Sequence, residues 1–166
     1  MNADVLELVE IVQLEIGAFE ALLETLTQEQ VALVTQDLSG VEEAVTNQQA
    51  LVERARSLEA ARINVVERLR TLDDGAPGTV TLKELIDRIE NPQAQKLREM
   101  REQLLTLQAE IRRVNRHNSA LVKQSMKYVD KTLQILTGAG RAPGVYGQSG
   151  KVASRSVTRA VLNRVA

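Results

Sequence analysis

The chain has 166 residues, 43% of them hydrophobic and 26% charged, and a formal net charge of -1. It contains no cysteine, no tryptophan, one histidine, and only Phe19, Tyr128 and Tyr146 as aromatic rings. These counts exclude a disulfide scaffold, a thiolate metal site and a cysteine nucleophile, and leave too few imidazoles for a multi-histidine metal centre. A platform of stacked aromatic rings for single-stranded nucleic acid is excluded with them.

Charge is unevenly placed. Residues 138–166 hold Arg141, Lys151, Arg155, Arg159 and Arg164 with no acid, so residues 1–137 carry a net charge of -6. An acidic body with a basic end marks the end as an interaction segment, and the body would repel a phosphate backbone. No stretch approaches the roughly 20 apolar residues that a membrane span needs. The acidic start MNADVLELVE lacks the basic first region of a secretory signal, so a cytoplasmic protein is expected.

The first element expected is a helix from about Asp4 to Gln36. Val5, Leu8, Val12, Phe19, Leu22, Leu23, Leu26 and Leu33 recur at steps of three, four or seven. Gly17 falls inside it, and close approach of a neighbouring helix is the reason expected for a glycine there. Asp37 to Gly40 fits either a turn or continuous helix with Ser39 as a cap. A second stripe follows: Val41, Ala44, Val45, Leu51, Val52, Ala55, Leu58, Ile63, Val66 and Leu69. It stops at the breaker Asp73-Asp74-Gly75-Ala76-Pro77-Gly78.

Thr81-Leu82-Lys83-Glu84 has the spacing of a capping box, which predicts a short helix from Leu82 to about Glu90. Asn91-Pro92 suits the entry to another helix. The last long stripe is Leu97, Met100, Leu104, Leu107, Ile111, Val114, Leu121, Val122, Tyr128, Val129, Leu133 and Leu136. Asn115 to Asn118 interrupts it with polar residues, read as surface or as a polar layer that fixes helix register. His117 is read as a surface or capping residue.

Helices this long gain most of their stability by packing an apolar face. The fold expected is therefore all-α: an elongated antiparallel bundle or coiled coil of three long helices and one short one, spanning residues 1–137. The pattern leaves open whether the bundle closes within one chain or pairs with a second copy. Residues 138–166 read as a flexible glycine-rich linker followed by a short amphipathic segment. Val157, Ala160, Val161 and Val165 sit there at helical spacing, with Arg155, Arg159 and Arg164 largely off the stripe. Such a segment suits a partner's groove, with the arginines steering an acidic partner. The carboxylates lie scattered among arginines and lysines, and no phosphate-binding glycine motif or catalytic pairing emerges. An enzyme is not expected, nor any cofactor or metal.

Several of these residues carry a family resemblance. Glu15, Phe19, Leu22-Leu23, Leu26, Gln30, Leu33, Asp37 and Leu38 look like the first helix and turn of FlgN-type flagellar export chaperones. Leu51-Val52, Leu58-Glu59, Arg62 and Leu69 are similar to the second helix. The stretch VNRHNSALVKQSMKYVDKTLQIL resembles the last, with its Asn115 and Asn118, and GVYGQSG resembles the family's tyrosine-glycine linker. A lysine expected near Gln48 and Gln49 is missing. The resemblance implies a cytoplasmic, ATP-independent chaperone that binds hook-associated proteins of the hook–filament junction and passes them to the type III export gate. It implies a C-terminal binding region comprising Leu133, Leu136, Val157, Val161, Leu162 and Val165, with Tyr146 touching substrate or gate. The alternative reading is a structural or adaptor coiled coil that pairs with another helical chain.

Overall fold

In the computed structural model, the residues described are 2–72, 81–88 and 92–138. They form four helices: α1 (Asn2–Thr35), α2 (Leu38–Leu72), α3 (Leu82–Arg88) and α4 (Gln93–Thr137). No strand occurs among the described residues. The chain divides into two units, Met1–Val129 and Asp130–Ala166, and the second is represented among the described residues by the last turns of α4.

Within residues 1–129, α1 and α2 form an antiparallel hairpin. Arg62 pairs with Glu15, Arg68 with Asp4 and Glu7, and Gln48 with Glu29, so residue numbers rise on one helix as they fall on the other. Gln103 of α4 reaches Glu20, and Asn118 reaches Leu26 and Glu29. Thus α4 runs in the direction of α1 and antiparallel to α2. Within residues 1–129 the helices share one apolar core.

The turn between α1 and α2 is a real break. Asp37 N–H donates to the Ala32 carbonyl at 2.9 Å, Gln36 N–H donates to that of Leu33 at 3.4 Å, and Gln36 takes a φ of 59°. This is a Schellman ending built on glutamine rather than glycine. Asp37 then caps α2, accepting the Gly40 N–H at 3.1 Å. Ser39, the cap considered from sequence, lies inside α2. A Cβ on Gly40 would fall 2.6 Å from the Asp37 carboxylate and 3.1 Å from the Ala32 Cβ, so this glycine admits both the cap and the close turn. Gly17 is different: a Cβ there meets nothing within 4 Å, so no neighbouring helix explains it.

The apolar core gathers at the open end of the hairpin. Val5, Leu8, Val12 and Ile16 of α1 meet Val65, Val66 and Leu69 of α2, Leu85 and Ile86 of α3, and Leu97, Met100 and Leu104 of α4. Full burial of each large side chain contributes about 1.5–3 kcal/mol. Helix α3 is held in place by the expected capping box. Thr81 N–H donates to Glu84 Oε2 at 2.9 Å, and Glu84 N–H donates to Thr81 Oγ1 at 3.3 Å. Residues 89–91, which include the expected entry residue Asn91, lie outside the described residues. The α2 stripe differs from expectation at three positions. Ile63 and Val45 are exposed, and Val65 is buried in the core. Positions 58, 65 and 69 follow the helical repeat toward α1, and position 63 rotates off it.

Candidate partner-binding surface

Two buried polar features fix the helices that position α4. Glu15 is 4% exposed in the α1–α2 seam. Arg62 Nε donates to both its carboxylate oxygens, at 3.0 and 3.1 Å. Burial pushes the Glu15 carboxyl above the usual carboxylate range, and the Arg62 charge pulls it part of the way back. The second feature is Asn118, only 2% exposed. Its Nδ2 donates to the Leu26 carbonyl at 2.8 Å and to Glu29 Oε2 at 3.0 Å. Gln48 Nε2 donates to the same Glu29 oxygen at 2.9 Å, which ties α1, α2 and α4 into one node. The polar layer considered from sequence is thus Asn118 alone on α4, since Asn115, Arg116 and His117 are exposed.

The seam that α4 presents to the hairpin runs Leu97, Met100, Leu104, Leu107, Ile111, Val114, Asn118 and Leu121, in steps of three and four. Continued at that spacing, it would reach Ser125, Tyr128, Thr132 and Ile135. Ile135 keeps that spacing, but the other aliphatic and methionine residues move over by one position. In residues 1–129 they fall on Val122, Met126 and Val129, which are 38%, 63% and 58% exposed. In residues 130–137 they fall on Leu133 and Leu136, at 52% and 76%. One residue is a rotation of about 100° on an α-helix. Within residues 1–129 the stripe that follows Leu121 therefore lies on a different side of α4 from the seam that packs the bundle.

This corrects one expectation. The last stripe reads in sequence as part of a bundle that spans residues 1–137, yet every described residue from Val122 onward is exposed. Of the predicted binding residues, Leu133 and Leu136 are exposed on α4. Tyr146, Val157, Val161, Leu162, Val165, Arg155, Arg159 and Arg164 lie outside the described residues. Val122 and Val129 were read from sequence as part of the apolar stripe and Met126 was not, and none of the three was named as a binding residue. The available signal was the one-position offset of the stripe at Leu121-Val122.

Among the described residues no group of His, Asp and Glu side chains is placed to hold a metal ion. No described helix is long and apolar enough to cross a membrane. An all-helical bundle with an uncovered apolar stripe defines the class, a helical protein with surface available to another chain. The particular family follows from comparison: a family model described as FlgN protein matches residues 1–154. The chain belongs to the FlgN family of flagellar export chaperones, which is a family of chaperones and not of enzymes. No curated protein and no solved structure matches significantly.

Proposed function

We propose that this chain is a cytoplasmic export chaperone for flagellar hook-associated proteins, which it binds before assembly and passes to the export gate. The observation that carries the reading is the α4 surface just described, apolar at three- and four-residue spacing and exposed from Val122 to Leu136. Subunits that assemble through apolar helices expose those helices beforehand and aggregate. A second amphipathic helix covers such a stripe by packing side by side with it. In this reading Leu133 and Leu136 begin the contact, and Val157, Val161, Leu162 and Val165 extend it. Arg155, Arg159 and Arg164 steer an acidic partner, and Tyr146 touches substrate or gate.

The test is calorimetry of purified hook-associated proteins with the full chain, a chain ending at Thr137, and the double substitution Leu133→Asp, Leu136→Asp. Stoichiometric binding is expected, weakened about 30-fold or more by the double substitution, as for loss of a central apolar contact. Absence of binding by the full chain would refute the proposal. The same spacing also favours a rival, a coiled coil with a second copy or an adaptor. A light-scattering mass of two chains, abolished by the same substitutions, would establish that reading instead.

A further inference from the structure

Apolar burial is unevenly shared along the bundle of residues 1–129. Toward the open end of the hairpin, Val5, Leu8, Val12, Val65, Ile86 and Leu97 are each no more than 1% exposed. Toward the turn the pattern changes. Between residues 38 and 64, α2 buries one side chain, Ala44, and α1 beyond Gly17 buries Ala18, Thr25, Leu26 and Ala32. Beyond Leu104, the described part of α4 buries Val114 and Asn118. Leu26 and Val114 are the aliphatic side chains larger than alanine in that set, and neither belongs to the continuous apolar core.

What joins the helices in the turn half is polar. Glu29 Oε2 accepts from Gln48 Nε2 at 2.9 Å and from Asn118 Nδ2 at 3.0 Å, and Asn118 Nδ2 also donates to the Leu26 carbonyl at 2.8 Å. Asn118 Oδ1 is buried with no hydrogen-bond partner among the described residues. The buried Thr25 hydroxyl lies 3.0 Å from the carbonyls of Ala21 and Leu22, so it bonds within its own helix. A hydrogen bond broken in folding's reverse is replaced by one to water and returns little net stability, whereas buried apolar area has no substitute in water. The stability that the helices share is therefore concentrated at the open end.

We propose that the turn half of the bundle, residues 18–58 with 108–129, opens as a unit while the core half stays folded, and that the Asn118–Glu29–Gln48 node is its latch. Regions with few buried apolar side chains open at a lower free energy than the whole domain. Opening breaks the three node bonds and returns Asn118 Oδ1 to water, and burial of an acceptor without a partner is itself a cost to the closed form. What opening uncovers is specific. Ile111, Val114 and Leu121, which are buried or half-buried in the seam of α4, become accessible beside the exposed Val122 and Met126. The helix then offers two apolar rows where the closed bundle offers one. A partner that prefers the open form draws the population toward it by as much as its affinities for the two forms differ.

The experiment is native-state hydrogen exchange of the isotope-labelled full chain, read by NMR amide by amide, with and without low urea. A helix segment released from its neighbours is marginal in water, so opening is reported by its amides. Residues 20–30, 44–55 and 108–120 report the turn half, and residues 8–16, 61–69 and 97–104 the core half. Core-half amides are expected to be protected at least about 100-fold more strongly. Their protection is also expected to fall more steeply with urea, because their opening exposes more surface. Fraying from helix ends would give the opposite order on α2, where Leu69 lies in the last turn and Leu51 in the interior. Ile86→Val removes one methylene from the core half and is expected to speed core-half exchange by about two- to twelvefold, with turn-half exchange unchanged. Asn118→Asp sets a carboxylate against Glu29 and is expected to speed turn-half exchange by about 100-fold or more.

Equal protection and equal urea dependence in the two halves would overturn the proposal, since the bundle would then open only as a whole. So would equal acceleration of both halves by Ile86→Val. Turn-half exchange unmoved in Asn118→Asp would remove the node as the latch and overturn it as well. Every measurement is made on the chain without a partner, so failure here and failure of the chaperone reading remain distinguishable.

Discussion

Replacing Asn118 by Asp changes almost no volume and inverts the chemistry of the three-helix node. The amide now places a donor 2.8 Å from the Leu26 carbonyl and 3.0 Å from Glu29 Oε2. In Asn118→Asp both contacts become oxygen against oxygen, and one of them sets carboxylate against carboxylate. A buried charge left without a partner costs about 3–5 kcal/mol, a large part of the roughly 5–15 kcal/mol that holds a domain folded. The introduced carboxyl is held above its unfolded value, because burial and Glu29 both oppose ionisation. The native state then binds more protons than the unfolded chain, so stability returns as pH falls. Asn118→Leu is the control. It forfeits one neutral hydrogen bond of about 1 kcal/mol and one to the Glu29 carboxylate of about 1.5–3 kcal/mol, and recovers about 2 kcal/mol by apolar burial. It also removes Asn118 Oδ1, a buried acceptor without a hydrogen-bond partner. A net loss of about 0.5–2 kcal/mol is expected, well below that of Asn118→Asp. Urea unfolding followed by circular dichroism, at neutral pH and again under acid conditions, measures both. A small, pH-independent loss in Asn118→Asp would refute the account of the node, as would a large loss in Asn118→Leu.

Two further outcomes follow from the bundle. Gly17→Ala is expected to stabilise by about 0.4–1 kcal/mol, since the added methyl meets nothing and the helix loses a flexible residue; thermal unfolding checks it. Glu15 titrates above its usual value of 4.5 in the folded protein because it is buried, although Arg62 opposes the shift. The native state therefore binds the extra proton in the window above 4.5, and its stability relative to Glu15→Gln should rise as pH falls through that window. Paired urea titrations would contradict this if the difference moved the other way.

The helices were legible in the sequence because their signals are local. Apolar spacing of three and four marked α1, α2 and α4, and the hydroxyl and carboxylate of Thr81 and Glu84 marked the start of α3 through bonds that both residues make. The breaker after Leu72 and the charge contrast between residues 1–137 and 138–166 need no neighbours to be read. Where a choice depended on another helix, the sequence left it open or pointed elsewhere. Ser39 and Asp37 are both good caps by composition, and the backbone of the turn selected Asp37. Gly17 and Gly40 look alike as letters, yet only Gly40 has a neighbour where its Cβ would stand.

The same division governs the surfaces. That residues 122–136 of α4 carry an apolar stripe is a property of the sequence; that the stripe is exposed depends on where α1 and α2 supply partners. Glu15, Arg62 and Asn118 were visible as polar residues among apolar ones. Their pairing across 47 positions in one case, and 89 and 92 in the other, is set by the hairpin and by the direction of α4. Periodicity fixes which face of a helix is apolar, because it reports the helix's own geometry. Only packing decides which part of that face is covered, because cover comes from residues far away in the chain.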